Sequence, residues 1–202
     1  MGEERNLKWN WCMGREFFWQ EYNSTNSIPS KPKQNLIECW SPPPGSLYKV
    51  NVDGVFSAQK ESGIGVSIRD KASLVVATMS KKVKASLGPL EIEAKAFEVS
   101  LQFAKDMGLQ EFILEGDSLN VYRALAGLSP SPAGVAPIVF GILDSCQEVW
   151  YVRFPHVRRK GNKPVHLLTK YVVGIVDYFV WMEENSCFLE QAFHRDVLSF
   201  VN

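Results

Sequence analysis

Apolar and polar positions alternate through the run Leu47-Tyr48-Lys49-Val50-Asn51-Val52-Asp53-Gly54. An extended strand there places Val50 and Val52 on one face and Lys49, Asn51 and Asp53 on the other. The strand is expected to span Leu47 to Phe56. Two more strand-like runs follow, Ile64 to Arg69 and Leu74 to Met79. Ser62-Gly63 and Asp70-Lys71 break the pattern between them, so antiparallel hairpins are expected.

The period then changes. From Pro89 to Met107 the apolar positions recur at helical spacing, and Gly108 stops the pattern. Taken at 100° per residue, Leu90, Ala94, Phe97, Leu101 and Ala104 form one stripe. Glu91, Lys95, Glu98, Gln102, Lys105 and Asp106 form the opposite, solvated face. Glu93 breaks this division, lying about 60° from the centre of the apolar stripe. A carboxylate turned toward a sheet is costly unless it is paired or binds metal.

Glu111 to Glu115 is mostly continuously apolar, as in a strand buried on both faces. A helix is predicted from Ser118 to Ala126, with Asp117 or Ser118 at its N-cap. After the loop Ser129-Pro130-Ser131-Pro132 come a helix from Val135 to Glu148 and a strand from Trp150 to Phe154. A last clear helix begins after Asn162, carries Pro164 in its first turn and reaches Val173. The tail from Asp177 to Asn202 is expected to be short, helical and packed by its aromatics. The order β-β-β-α-β-α-α-β-α implies an α/β fold, a mixed sheet covered by helices. The crossover through the Pro89–Met107 helix should be right-handed. Asp53 and Asp117 then sit at the C-terminal ends of strands, where open α/β sheets gather function.

Residues 1–46 are expected to form an extension, with a linker from Asn23 to Gln34 and a stiff boundary at Trp40-Ser41-Pro42-Pro43-Pro44-Gly45. The main domain is expected over 47–174, with a packed tail over 175–202. The apolar fraction of 46% fits a globular core. Lysine plus arginine equals aspartate plus glutamate at 22 each, which excludes coating nucleic acid by net charge alone. The cysteines Cys12, Cys39, Cys146 and Cys187 show no zinc-ligand spacing and no framework of a small secreted domain. No run approaches the ~20 apolar residues of a membrane span, and none forms a signal peptide. The expectation is an intracellular, soluble protein, nuclear or cytoplasmic, without membrane contact.

Each candidate side chain has a plain structural alternative. Asp53-Gly54 is a common turn dipeptide, and Asp117 is a natural helix cap. Periodicity puts His166 at a polar helix edge near Thr169 and Lys170, although its first-turn position lets it reach a rim. Arg158-Arg159-Lys160 can meet a phosphate backbone or stand as a solvated loop. Trp9, Trp11, Trp19 and Trp40 can stack bases or anchor packing. Three carboxylates from two strand ends and a helix face suit a divalent cation.

The stretch from Trp40 to about His194 resembles the ribonuclease H-like domain of plant non-LTR retrotransposons. The matching pieces stand in the family's order: Trp40-x-Pro-Pro-x-Gly, Lys49-Val-Asn-Val-Asp-Gly54, Gly63-Ile-Gly-Val-Ser-Ile-Arg-Asp70, Leu90-Glu-Ile-Glu-Ala-Lys-Ala96 and Glu115-Gly-Asp-Ser118. His156-Val-Arg-Arg-Lys-Gly-Asn162, His166-Leu-Leu-x-Lys170 and Trp181-Met-Glu-Glu184 complete the set.

The resemblance implies a five-stranded mixed sheet with helices on both faces. It implies cleavage of the RNA strand of an RNA–DNA hybrid with Mg²⁺, or Mn²⁺ in its place, by a monomer. Asp53, Glu93 and Asp117 match the metal-binding acids. His166 matches the fourth catalytic position, often aspartate elsewhere. Arg158, Arg159, Lys160 and Asn162 are the expected nucleic-acid contacts. Two ions about 4 Å apart would serve the attacking and leaving oxygens, and the 2′-hydroxyl would separate RNA from DNA. The alternative is a nucleic-acid- or protein-binding module without turnover, which suits the neutral charge and a 129–134 loop lacking Lys and Arg.

Overall fold

The computed structural model describes residues 39–56, 61–85, 87–173, 178–183 and 187–201. The chain divides into two units, Met1–Asn35 and Leu36–Asn202, and the described residues belong to the second. The predicted linker, most of the N-terminal extension, Trp9, Trp11, Trp19 and Cys12 lie outside them.

Three strands open the domain: β1 (Tyr48–Phe56), β2 (Ser62–Arg69) and β3 (Val75–Val83). The long helix α1 (Pro89–Asp106) leads to β4 (Glu111–Gly116), then α2 (Leu119–Leu125) and α3 (Ala136–Ser145). A 3-10 turn at Cys146–Glu148 continues α3, so the predicted helix changes pitch in its last turn. The short β5 (Tyr151–Arg153) follows, then a 3-10 turn at Arg159–Asn162 that runs into α4 (Lys163–Val173). β6 (Tyr178–Met182) and α5 (Cys187–Val201) close the chain.

The six strands form one sheet in the order β5-β4-β1-β2-β3-β6. β1 pairs with β4, and β4 with β5, in parallel. The remaining pairs are antiparallel. The sheet is mixed and covered on both faces, as expected, but it has six strands rather than five. The sixth comes from the tail, where Tyr178-Phe179-Val180-Trp181-Met182 pairs with Ala77 to Lys81. Aromatic and β-branched side chains favour a strand there, and a helix spans Cys187–Val201. β3 also outruns its predicted end, because β2 pairs with it as far as Ser62↔Val83. Lys81 and Lys82 are therefore strand residues, and Lys82 meets Glu61 at 2.7 Å.

The two sheet faces differ in chemistry. Val50, Val52, Ile64, Val66, Ile68, Ala77, Met79, Phe112 and Leu114 make the main apolar core with α1, α2 and α3. The other face carries Lys49, Asn51, Asp53, Ser67, Arg69, Thr78, Ser80 and Glu115, all buried. α4 and α5 cover it with a small apolar cluster of Val165, Leu168, Leu189 and Phe193. Ser80 donates to the Leu168 carbonyl at 2.7 Å and ties the two layers together.

α1 ends by a defined mechanism. Gly108 takes φ +74°, its N–H bonds the Lys105 carbonyl, and the Leu109 N–H bonds the Ala104 carbonyl. This paired closure satisfies carbonyls the helix would otherwise leave open. At the other end Glu91, assigned by periodicity to the solvated face, accepts the Gly88 N–H.

Candidate metal and catalytic site

Parallel pairing of β1 with β4 sets Val52 opposite Gly116. Asp117 follows the last residue of β4. Asp53 follows Val52 inside β1, which does not end there as expected but stays paired with β2 as far as Phe56. The two aspartates are neighbours because β4 stops beside β1 at this level. Glu93 arrives from the first turns of α1. Gly54 permits this approach, since a Cβ there would lie 2.7 Å from the Ile92 carbonyl oxygen. Gly65, the cross-strand partner of Asp53, does the same on the other face. A Cβ on it would stand 2.5 Å from the Val165 carbonyl oxygen of α4.

The result is a cluster in which Asp53, Glu93 and Asp117 each offer a carboxylate oxygen within 4.8 Å of the others. Asp53 is 2% exposed; the other two are partly buried. Burial raises the Glu93 carboxyl to about 8, and the neighbouring Asp53 and Asp117 charges push in the same direction. The Gly54 N–H and the Arg159 charge pull the other way. Near neutrality and without a cation, the cluster therefore holds a proton on Glu93.

Asp53 is gripped from α4. His166 Nδ1 donates to its Oδ2 at 2.8 Å, and the single proton of Thr169 Oγ1 is shared between the same oxygen at 3.1 Å and the His166 carbonyl oxygen at 2.8 Å. Asp53 Oδ1 is buried and has no hydrogen-bond partner. An orphaned buried carboxylate oxygen beside two more carboxyls suits a hard divalent cation such as Mg²⁺ or Mn²⁺. His166 was expected at the fourth position and does reach the rim. Its contact is to Asp53, and among the described residues the group able to surround a cation is the three acids. Thr169 was overlooked, although it follows His166 by three residues and shares its helix face.

Asp117 does not cap α2. Ser118 occupies the N-cap position without a side-chain bond, and Asp117 Oδ2 instead accepts from Arg159 Nε at 3.1 Å. His156 Nε2 sits 3.2 Å from the Asp117 carbonyl oxygen. Within the expected basic run, Arg158, Arg159 and Lys160 are exposed. Asn162 is not. It is 1% exposed and donates to the Val52 carbonyl at 2.8 Å, so its amide is used inside the fold and does not face a phosphate backbone.

Lys49 and Asn51 share the Asp53 face, yet a second system takes them. Lys49 Nζ pairs with Glu115 Oε2 at 3.4 Å, and Asn51 donates to Glu115 Oε1 at 2.8 Å. Arg69, fully buried, pairs with Asp196 at 3.0 Å. Its guanidinium lies 3.6 Å from the centre of the Trp40 ring and 5.0 Å from that of Phe193. Burial lowers Arg69 to about 10 against the pull of Asp196, and burial raises Asp196 to about 6. The polar sheet face thus serves a buried ion network along most of its length and the acid cluster only at its end.

A mixed sheet with this order and an acid trio at the rim of its two central parallel strands defines a ribonuclease H-like fold. The family described as reverse transcriptase-like matches residues 51–172, and the chain belongs to it. Among solved structures, ribonuclease H1 of the halophilic archaeon Halobacterium salinarum is similar at TM-score 0.59 and 18% identity, over 63% of this chain and 97% of that one. LC11 ribonuclease H1 in complex with an RNA/DNA hybrid matches at TM-score 0.58 and 18% identity, over 63% of this chain and 96% of that one. A foamy viral protease-reverse transcriptase in complex with an RNA/DNA hybrid matches at TM-score 0.51 and 15% identity, over 75% of this chain and 23% of that one. No curated protein matches the sequence. Among the described residues, no helix is long and apolar enough to cross a membrane.

Proposed function

We propose that the domain is a divalent-metal-dependent endonuclease that hydrolyses the RNA strand of RNA–DNA hybrids. The observation that carries the reading is the convergence of Asp53, Glu93 and Asp117 within 4.8 Å, with one Asp53 oxygen left unpartnered. These three acids would hold Mg²⁺ or Mn²⁺. When bound, such ions polarise the scissile phosphate and supply an activated water. The chain's own part is positioning. His166 and Thr169 hold the Asp53 carboxylate at its Oδ2, which leaves Oδ1 without a protein partner. Glu93 gives up its proton as a cation enters. Arg158 and Lys160 stand where they can meet the backbone of the bound duplex.

Arg159 supports a second reading, a binding module with little or no turnover. Its guanidinium already neutralises Asp117 through Oδ2, so it competes with a cation for that carboxylate. Arg159 is exposed enough to swing away cheaply, which is why the nuclease reading is preferred. The motif order from Trp40 to Glu184 supports descent from a plant non-LTR retrotransposon. The structural match of a ribonuclease H1 bound to a hybrid supports the substrate class. The test is cleavage of an end-labelled RNA–DNA hybrid in Mg²⁺ by the wild-type protein and by Asp53→Asn. Cleavage by the first alone bears out the reading; equal products from both remove it.

A further inference from the structure

The ion network is buried beneath α4 and α5 and closed to solvent, yet it is joined to the acid site by an unbroken set of contacts. Its centre is Arg69, clamped between Trp40 and Phe193 and paired with Asp196. Arg69 also donates to Asn51 Oδ1 at 3.3 Å, and Trp40 Nε1 donates to the same oxygen at 3.0 Å. That fixes the Asn51 amide, whose Nδ2 points to Glu115 at 2.8 Å and to Asn162 Oδ1 at 3.3 Å. Asn162 in turn donates to the carbonyl of Val52, the residue before Asp53. Asn162 also ends the 3-10 turn that bears Arg159 and directly precedes the helix that bears His166 and Thr169.

We propose that Arg69 is a positioning residue for the acid site, acting through Asn51 and Asn162. In this arrangement the Trp40 segment and helix α5 belong to the functional unit. Trp40, Phe193 and Asp196 all lie outside residues 51–172, the segment matched by the family. The proposal builds on the assignment of the acids as cation ligands.

Three features favour a positioning role over plain packing. A buried ion pair is a poor way to gain stability, since apolar residues of similar volume commonly do as well. Asn51 makes bonds in four directions, to Trp40, Arg69, Glu115 and Asn162, so its orientation is fully specified. Gly161, within the turn, packs so closely that a Cβ would stand 2.8 Å from the Trp40 backbone nitrogen. The turn is thus held from the flank side as well as from β1.

The experiment compares the full chain with the double variant Arg69→Met/Asp196→Leu, which keeps volume and removes the charges together. Asn162→Ala is the second variant; it leaves the clamp intact and cuts its last link. Amide hydrogen exchange at residues 159–162 and Mn²⁺ affinity are read alongside hybrid cleavage. The expected result is faster exchange confined to the turn and a Mn²⁺ affinity reduced about 10-fold or more. Adding Asn162→Ala to the double variant should cost no more than about a further twofold, since coupled positions do not add. Unchanged exchange and Mn²⁺ affinity in the double variant would overturn the proposal, as would full additivity. If the double variant does not fold, Asn162→Ala decides by the same two readouts. Wild-type protein that binds Mn²⁺ without cutting hybrid defeats the nuclease reading and leaves this one standing. Normal cleavage by the double variant defeats this one alone.

Discussion

His166 Nδ1 lies 2.8 Å from Asp53 Oδ2, so the helix that follows the basic turn holds the acid carried by the first strand. An imidazole in this place orients a carboxylate without adding negative charge to the cluster. Thr169, one turn on, bonds the same oxygen. Loss of either donor should loosen Asp53 rather than unfold the domain. His166→Ala is expected to weaken Mg²⁺ binding by about 10–100-fold, the usual cost of losing a partner behind a metal ligand. Isothermal titration with Mg²⁺, beside a melting curve of the metal-free protein, checks this. His166→Asp should do the reverse: lower metal-free stability by like-charge repulsion, and tighten Mg²⁺.

The proton on Glu93 makes cation binding depend on pH. With its carboxyl raised to about 8, a cation entering at neutral pH must displace that proton. Mg²⁺ affinity should therefore climb from pH 6 to about 8 and then level off. Calorimetry at pH 7 in buffers of different ionisation heat should report release of up to about one proton per site. Glu93→Gln should abolish that release.

The same group sets the sign of the stability profile. Between 4.5 and about 8 the folded protein keeps a proton on Glu93 that the unfolded chain has lost. Stability of the metal-free protein must fall as pH rises through that window. Asp196, raised to about 6, adds in the same direction over the lower part of the range. Urea denaturation with EDTA at pH 5 and pH 8 should give the higher midpoint at pH 5. Mg²⁺ should recover most of the difference at pH 8.

Two glycines hold the site open to its helices. Gly54→Ala meets the α1 backbone and Gly65→Ala meets the α4 backbone, each closer than a Cβ tolerates. Overpacking of this kind costs about 1–3 kcal/mol. Because the displaced helices carry Glu93 and His166, both variants should lose Mg²⁺ affinity beyond what their stability loss accounts for. Gly141→Ala, where the nearest atom to an added Cβ lies 3.9 Å away, is the control for a methyl added without a clash.

Arg159 faces two demands. Paired to Asp117 at 3.1 Å, it competes with a cation; released, it can meet a phosphate. Arg159→Ala should therefore tighten Mg²⁺ while weakening hybrid binding. The slope of log K against log salt should drop by about one if one phosphate contact is lost. Filter binding across a salt series, in EDTA, measures it.

Much of the site was legible because its parts obey local rules. The strand–helix order put Asp117 at the end of β4 beside the strand that carries Asp53, although β1 does not stop at Asp53 but runs on to Phe56. Helical phase alone turned Glu93 toward the sheet. Other parts depended on contacts that no local pattern encodes. Alternation put Lys49, Asn51 and Asp53 on one strand face, but only pairing with Arg69 and Glu115 shows that two systems share it. Asn162 sits in a basic, loop-like run and is buried, because its amide satisfies a carbonyl on a strand 110 residues away in sequence. Tyr178–Met182 carried strand composition in a tail whose surroundings were helical. Its pairing with β3 is a tertiary choice, made where that strand offered a free edge.

The most direct measurement is the anomalous scattering of Mn²⁺ diffused into crystals of the protein. The account predicts a peak bounded by Asp53, Glu93 and Asp117, with Arg159 moved off Asp117. A crystal that takes up Mn²⁺ elsewhere and leaves these three carboxyls without a peak would contradict it.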